Sequence, residues 1–130
     1  MIKVFGKTTT TPVAKKRISV RVPTGMLSDI DNVLQQRNMT YRKRSEWISS
    51  ALVDMLNKPN FIQYIQEEWL SPGNNEMIQI TLEETAEKAL AQMLETANQA
   101  LGKNAELASS IVRAGIIQAI LKEEANRLEK

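Results

Sequence analysis

The side chains able to do chemistry in this chain are few in kind. Its 130 residues include no Cys and no His. That removes thiolate and imidazole together, and with them a disulfide framework, a zinc-type ligand set and the commonest general acid or base. Catalysis would have to run on carboxylates, hydroxyls or lysines. The paired carboxylates Glu83-Glu84 and Glu123-Glu124 fall where helix surface is expected. Neither an enzyme nor a cofactor is expected. What remains is cationic and hydroxylic: Arg17, Ser19 and Arg21 at alternate positions, and the run Arg42-Lys43-Arg44-Ser45. The formal charge of +2 hides a separation of signs. Residues 1–70 hold eleven Lys/Arg against six Asp/Glu, whereas residues 71–130 hold six against nine. Such asymmetry points to a polyanionic partner at the basic end.

These residues need elements to hold them. Arg17-Ile18-Ser19-Val20-Arg21-Val22 alternates polar and apolar side chains, the pattern of a strand with one wet face. Pro23 stops it for want of an amide hydrogen. Leu27, Ile30, Val33 and Leu34 then share one helical face, with Thr24 as its N-cap. After the basic loop 38–43, a second helix from Ser45 stripes Ile48, Ala51, Leu52, Met55 and Leu56, and Asn57-Lys58-Pro59 ends it. Residues 60–70 suggest a short third helix aligning Phe61, Ile65 and Trp69. Trp47 and Trp69 read as packing residues rather than base stackers. Ser71-Pro72-Gly73-Asn74-Asn75 is dense in turn formers.

The order then repeats. Ile78-Gln79-Ile80-Thr81-Leu82 alternates again, residues 84–100 are helical in period, Gly102 punctuates, and a long helix runs from about Ala105 to Leu128. The strands match at an offset of 60 residues, and Ser45–Leu52 matches Ser109–Ile116 at 64. The expected organisation is an N-terminal arm over 1–14, a first strand-helix-helix unit over 15–58, a linker with a short helix over 59–75, and a second unit over 76–130. One such unit leaves its strand edge and one helix face unpaired, so it must dimerise. Pairing the two strands antiparallel puts Ile18, Val20, Val22, Ile78, Ile80 and Leu82 in one core and presents the opposite face to solvent. A two-stranded ribbon of that width fits the major groove of B-DNA. The linker is long enough for the halves to pair within one chain. No apolar run approaches the ~18–20 residues of a membrane span, and the first eleven residues hold no stretch of signal-peptide length. A cytoplasmic protein without a membrane partner is expected.

Lys16-Arg17-Ile18-Ser19-Val20-Arg21-Val22 followed by Lys43-Arg44-Ser45-Glu46-Trp47-Ile48-Ser49-Ser50-Ala51-Leu52 resembles the ribbon-helix-helix family of the Arc, MetJ and CopG repressors. Ser109-Ser110-Ile111-Val112-Arg113-Ala114-Gly115-Ile116 is similar to the second helix of its antitoxin members. The resemblance covers about 17–57 and 77–121, and two units in one chain is the arrangement of the TraY-type conjugation proteins. It implies a mostly α fold with a short two-stranded antiparallel β-ribbon, a tandem pseudo-dimer that binds double-stranded DNA.

By that resemblance, Arg17, Ser19 and Arg21 touch base edges in the first half. Met77, Gln79 and Thr81 do so in the second. Thr81, three residues before Glu84, is alternatively the N-cap of a capping box. The N-terminus of the second helix meets a DNA phosphate, which implicates Arg42, Lys43, Arg44 and Ser45 with Lys16, and Ser109 and Ser110 in the second half. Lys43 stands where the family has a hydroxyl cap, with Thr40 the other choice. Arg37 adds a fourth cation to the basic loop, and Lys3, Lys7, Lys15 and Lys16 could follow a backbone or minor groove. The implied function is sequence-specific DNA binding as a transcriptional repressor. The alternatives are an accessory factor of plasmid transfer or partition, working with a relaxase or associating side by side on DNA, and a protein-interaction module such as an antitoxin.

Overall fold

The computed structural model describes residues 16–67, 75–103 and 107–128. The N-terminal arm and Trp69 lie outside them. Strand β1 (Lys16–Pro23) leads into helix α1 (Thr24–Gln36), a 3-10 turn (Tyr41–Lys43) and helix α2 (Arg44–Leu56). Helix α3 (Phe61–Glu67) follows, then strand β2 (Asn75–Leu82), helix α4 (Glu84–Leu101) and helix α5 (Leu107–Leu128). The fold is mostly helical, and among the described residues β1 and β2 form a single antiparallel sheet.

The ladder runs from Lys16 opposite Leu82 to Pro23 opposite Asn75 and is centred on the pair Ser19–Gln79. That centre agrees with the offset of 60 between the strand sequences, because residues 19 and 79 are then both equivalent and paired. Alternation decides the faces. Val20, Val22, Ile78, Ile80 and Leu82 are buried and Ile18 half-buried, all on one side of the ribbon. The helices close over that side. α2 packs on β2 and α5 on β1, so each second helix lies against the strand of the other half. The core joins Ile30, Val33 and Leu34 of α1, Trp47, Ile48, Leu52 and Met55 of α2, and Met93 and Ala97 of α4 to Ile111, Val112 and Ile116 of α5. Ile65 of α3 is buried as well, where the short helix meets α4 and α5.

Thr24, expected as an N-cap, and Thr81, for which a cap is the alternative to base contact, both stand outside that role. Pro23, extended at φ −62° and ψ 145°, occupies the cap position of α1, and Thr24 is the first helical residue. Glu83 occupies the cap position of α4, while Thr81 remains in the ladder opposite Arg17. Neither cap residue makes a side-chain capping bond. The end of α1 is built more fully. Asn38 takes the left-handed conformation at φ 59°, its N–H donates to the Gln35 carbonyl, and the Met39 N–H donates to the Leu34 carbonyl at 2.8 Å. This is a Schellman closure, with asparagine in the place glycine more often fills. It turns the chain sharply and points the basic loop toward the start of α2. Gly102, at φ 86°, ends α4. The rise in offset from 60 at the strands to 64 at the second helices falls where α4, of 18 residues, is longer than α1, of 13.

Candidate nucleic-acid interface

The solvent face of the ribbon brings together all six residues expected to read bases. Across the strands they stand as Arg17 opposite Thr81, Ser19 opposite Gln79 and Arg21 opposite Met77. Five are exposed and Thr81 is half-buried. Met77 is 62% exposed. Arg17 and Arg21 make no ion pair among the described residues. Four residues apart on one strand, they lie about 13 Å from each other. The face therefore carries two uncompensated cations on β1 beside neutral side chains on β2. Its underside is sealed by the aliphatic core, which fixes which side chains face out.

The starts of α2 and α5 flank this face at opposite edges. At the β2 edge the Thr81 N–H donates to Ser45 Oγ at 3.1 Å. At the β1 edge Arg113 Nη1 donates to the Arg21 carbonyl at 2.7 Å, and Arg113 Nη2 donates to Ser110 Oγ at 3.1 Å. Each second helix is thereby tied to the outward-pointing peptide groups of the strand it covers. Lys43 precedes α2 without a side-chain capping bond. The Arg44 N–H donates instead to the Tyr41 carbonyl of the preceding 3-10 turn.

The residues expected at phosphates divide into two groups. Arg42 and Arg44 make no ion pair among the described residues, with Arg42 exposed and Arg44 half-buried. Lys16 lies 3.8 Å from Glu87, and Lys43 lies 3.1 Å from Glu46. Both pairs are exposed and weak, and they share charge rather than remove it. The hydroxyls of Ser45 and Ser110 already accept bonds from the ribbon edge and from Arg113, while Ser109 is half-buried in the first turns of α5. Arg37, counted with the basic loop from sequence, turns the other way and pairs with Glu123 of α5 at 2.9 Å.

Sequence reasoning missed Arg113. It is 2% exposed and among the largest fully buried side chains. A signal was present: the arginine stands inside the otherwise apolar run Ile111-Val112-Arg113-Ala114-Gly115-Ile116. Comparison of the chain with protein-family models, curated proteins and solved structures returned no match.

Proposed function

We propose that this chain is a tandem ribbon-helix-helix protein that binds double-stranded DNA with the β1–β2 ribbon in the major groove. We further propose that it acts as a transcriptional regulator, repressing by occlusion of a promoter. One observation carries the reading: a two-stranded ribbon whose exposed face holds Arg17, Ser19 and Arg21 beside Met77, Gln79 and Thr81, with neither arginine ion-paired among the described residues.

The physical case follows from that face. A major groove ~12 Å wide admits such a ribbon. Arginine donates two parallel hydrogen bonds to guanine O6 and N7, and glutamine suits adenine N6 and N7. The thymine methyl offers Met77 an apolar surface. Arg42 and Arg44, at the start of α2, then approach the backbone, where the helix dipole favours an anion. Because the two strands differ in side chains, the preferred site is non-palindromic, with a G-containing half under β1 and an A/T-rich half under β2.

Selection of bound sites from random duplexes with the full chain, followed by gel shifts with competitor DNA, tests this. Enrichment of a non-palindromic site is the expected result. Failure to enrich any duplex, with no shift at low salt, would exclude DNA as the target.

A protein-interaction role is favoured by one feature, the absence of Lys or Arg from the exposed face of β2. It predicts no shift with duplex DNA. An accessory role in plasmid transfer or partition uses the same DNA contacts as a repressor. It is separated from repression by whether the selected site lies beside a transfer origin, and by co-purification with a relaxase.

A further inference from the structure

Arg113 and Ser49 stand 64 residues apart, the offset that aligns α5 with α2. They therefore occupy matching places, Arg113 against β1 and Ser49 toward β2. Their surroundings differ. Arg113 fills its place with a buried guanidinium bonded to a ribbon carbonyl. Ser49 is 7% exposed, and its Oγ has no hydrogen-bond partner among the described residues. A buried hydroxyl left unbonded costs about 1–3 kcal/mol and is rare in folded proteins. Beside Ser49 a cleft of about 270 Å³ opens between α2 and the start of α4, with Glu46, Val53, Asp54, Glu83 and Thr85 among its walls. Three of those residues are carboxylates, and among the described residues no Lys or Arg lines the cleft. Glu83 has no ion pair there, whereas Glu46 is paired with the exposed Lys43 and Asp54 lies 3.8 Å from the exposed Lys122. A second cleft of about 370 Å³ continues along α2 and α4, sharing Val53 and Thr85 and adding Leu56 and Ala89.

We propose that the Ser49 cleft receives an arginine side chain of a partner protein, with an aliphatic residue of the same segment in the adjoining α2–α4 groove. The first cleft offers what a guanidinium needs: Glu83, unpaired among the described residues, two further carboxylates held only by exposed lysines, and an unbonded hydroxyl oxygen just beneath the surface that accepts an N–H once a ligand opens the cleft onto it. Arginine suits it better than lysine, because a planar fork of donors reaches several acceptors at once. The source is a polypeptide rather than the free amino acid. The continuing groove has an aliphatic floor at Val53, Leu56 and Ala89, and its charged walls Glu84 and Lys88 are already paired with each other at 3.1 Å, which suits a side chain on a neutral amide backbone better than charged amino-acid termini. The inference is independent of whether the ribbon binds DNA.

The test is a titration of the ¹⁵N-labelled full chain, followed by amide shifts. Three probes serve: N-acetyl-arginyl-leucine amide, its citrulline counterpart, which has the same shape without the charge, and free arginine. The arginyl peptide should give saturable shifts centred on Ser49, Val53 and Thr85. The citrulline peptide should bind at least about tenfold more weakly, the equivalent of one charge-assisted hydrogen bond. Glu83→Gln should weaken the arginyl peptide by a similar factor, and Ser49→Arg, which supplies the guanidinium from within the chain, should abolish the response. If Ser49→Arg does not fold, Glu83→Gln and the citrulline probe still decide. Absence of saturable shifts at the cleft overturns the proposal, as does an equal response to citrulline or a response scattered over the acidic helix surfaces. Free arginine binding as tightly as the peptide overturns the polypeptide source.

Discussion

Replacing Arg113 by Ala and by Met separates two contributions that its burial combines. The guanidinium donates to the Arg21 carbonyl and to Ser110 Oγ, and the side chain is almost wholly out of water. Arg113→Ala removes those bonds, leaves the Arg21 carbonyl short of a donor at ~1–3 kcal/mol, and vacates roughly 85 Å³, worth ~2 kcal/mol at ~24 cal/mol per Å³. The expected loss is ~3–5 kcal/mol. Arg113→Met removes the same bonds but keeps most of the volume. Both variants relieve the desolvation of the buried cation alike, so Met differs from Ala by the ~2 kcal/mol of volume it retains. The expected loss for Met is ~1–3 kcal/mol. Urea denaturation followed by circular dichroism measures both, and the m-value shows whether the transition stays two-state. If both variants unfold within ~0.5 kcal/mol of the parent, the guanidinium does not hold α5 to the ribbon. If Met is as damaging as Ala, the hydrogen bonds outweigh the packing and the volume argument fails.

Other consequences are open to direct measurement. Arg17→Ala and Arg21→Ala should each weaken binding to a selected duplex by ~1–3 kcal/mol and relax preference at one base position; two variants with parental affinity in gel-shift titrations would remove the ribbon as the reading element. Arg42→Gln with Arg44→Gln should flatten the log–log salt dependence by ~0.9 per lost phosphate contact, while Lys43→Gln does less because Glu46 already shares that charge. An unchanged slope would turn this loop away from the backbone. Gly115→Ala should shift stability by less than ~1 kcal/mol, since a Cβ there meets Leu52 Cδ2 at 3.4 Å and the Ala51 carbonyl oxygen at 3.7 Å, the first a flexible neighbour. A loss above ~2 kcal/mol would mean that α2 and α5 cannot yield at their crossing. Sedimentation without DNA should give the single-chain mass of 14.7 kDa; a folded species of twice that mass, with no folded monomer on dilution, would contradict pairing within one chain.

The ribbon was legible because its information is local. Polar–apolar alternation at Arg17–Val22 and Ile78–Leu82 sets both faces without reference to the rest of the chain, and the helical stripes of α1, α2 and α4 are equally local. The helix caps are less legible for the converse reason. Thr24 and Thr81 carry good cap chemistry, but the ladder extends to Pro23 and Leu82, and the Thr81 N–H is engaged by Ser45, 36 residues away. Pairing across the sheet outweighed a local motif. Arg37 looked like part of a basic cluster because its neighbours in sequence are basic. Its carboxylate partner, Glu123, arrives from α5, and nothing near Arg37 in sequence announces it. Arg113 was hidden similarly: its acceptor is a backbone carbonyl, which no side-chain pattern marks.

The nearest paired residues of the ribbon, Pro23 and Asn75, are 52 positions apart, and the farthest, Lys16 and Leu82, are 66 apart. No hairpin turn can start this ladder. Its first rung must await closure of a long loop, an entropic cost that local helix formation does not carry. Helices α1, α2 and α4 can flicker into existence on their own, whereas the strands order only once both halves of the chain have met. The strand amides bonded across the ladder should therefore exchange with solvent hydrogen only through global unfolding, even though one face of the ribbon lies in open water. For the same reason a truncated or nascent chain lacking β2 presents the arginines of β1 without a scaffold, and the complete surface appears in one step when the whole chain has folded.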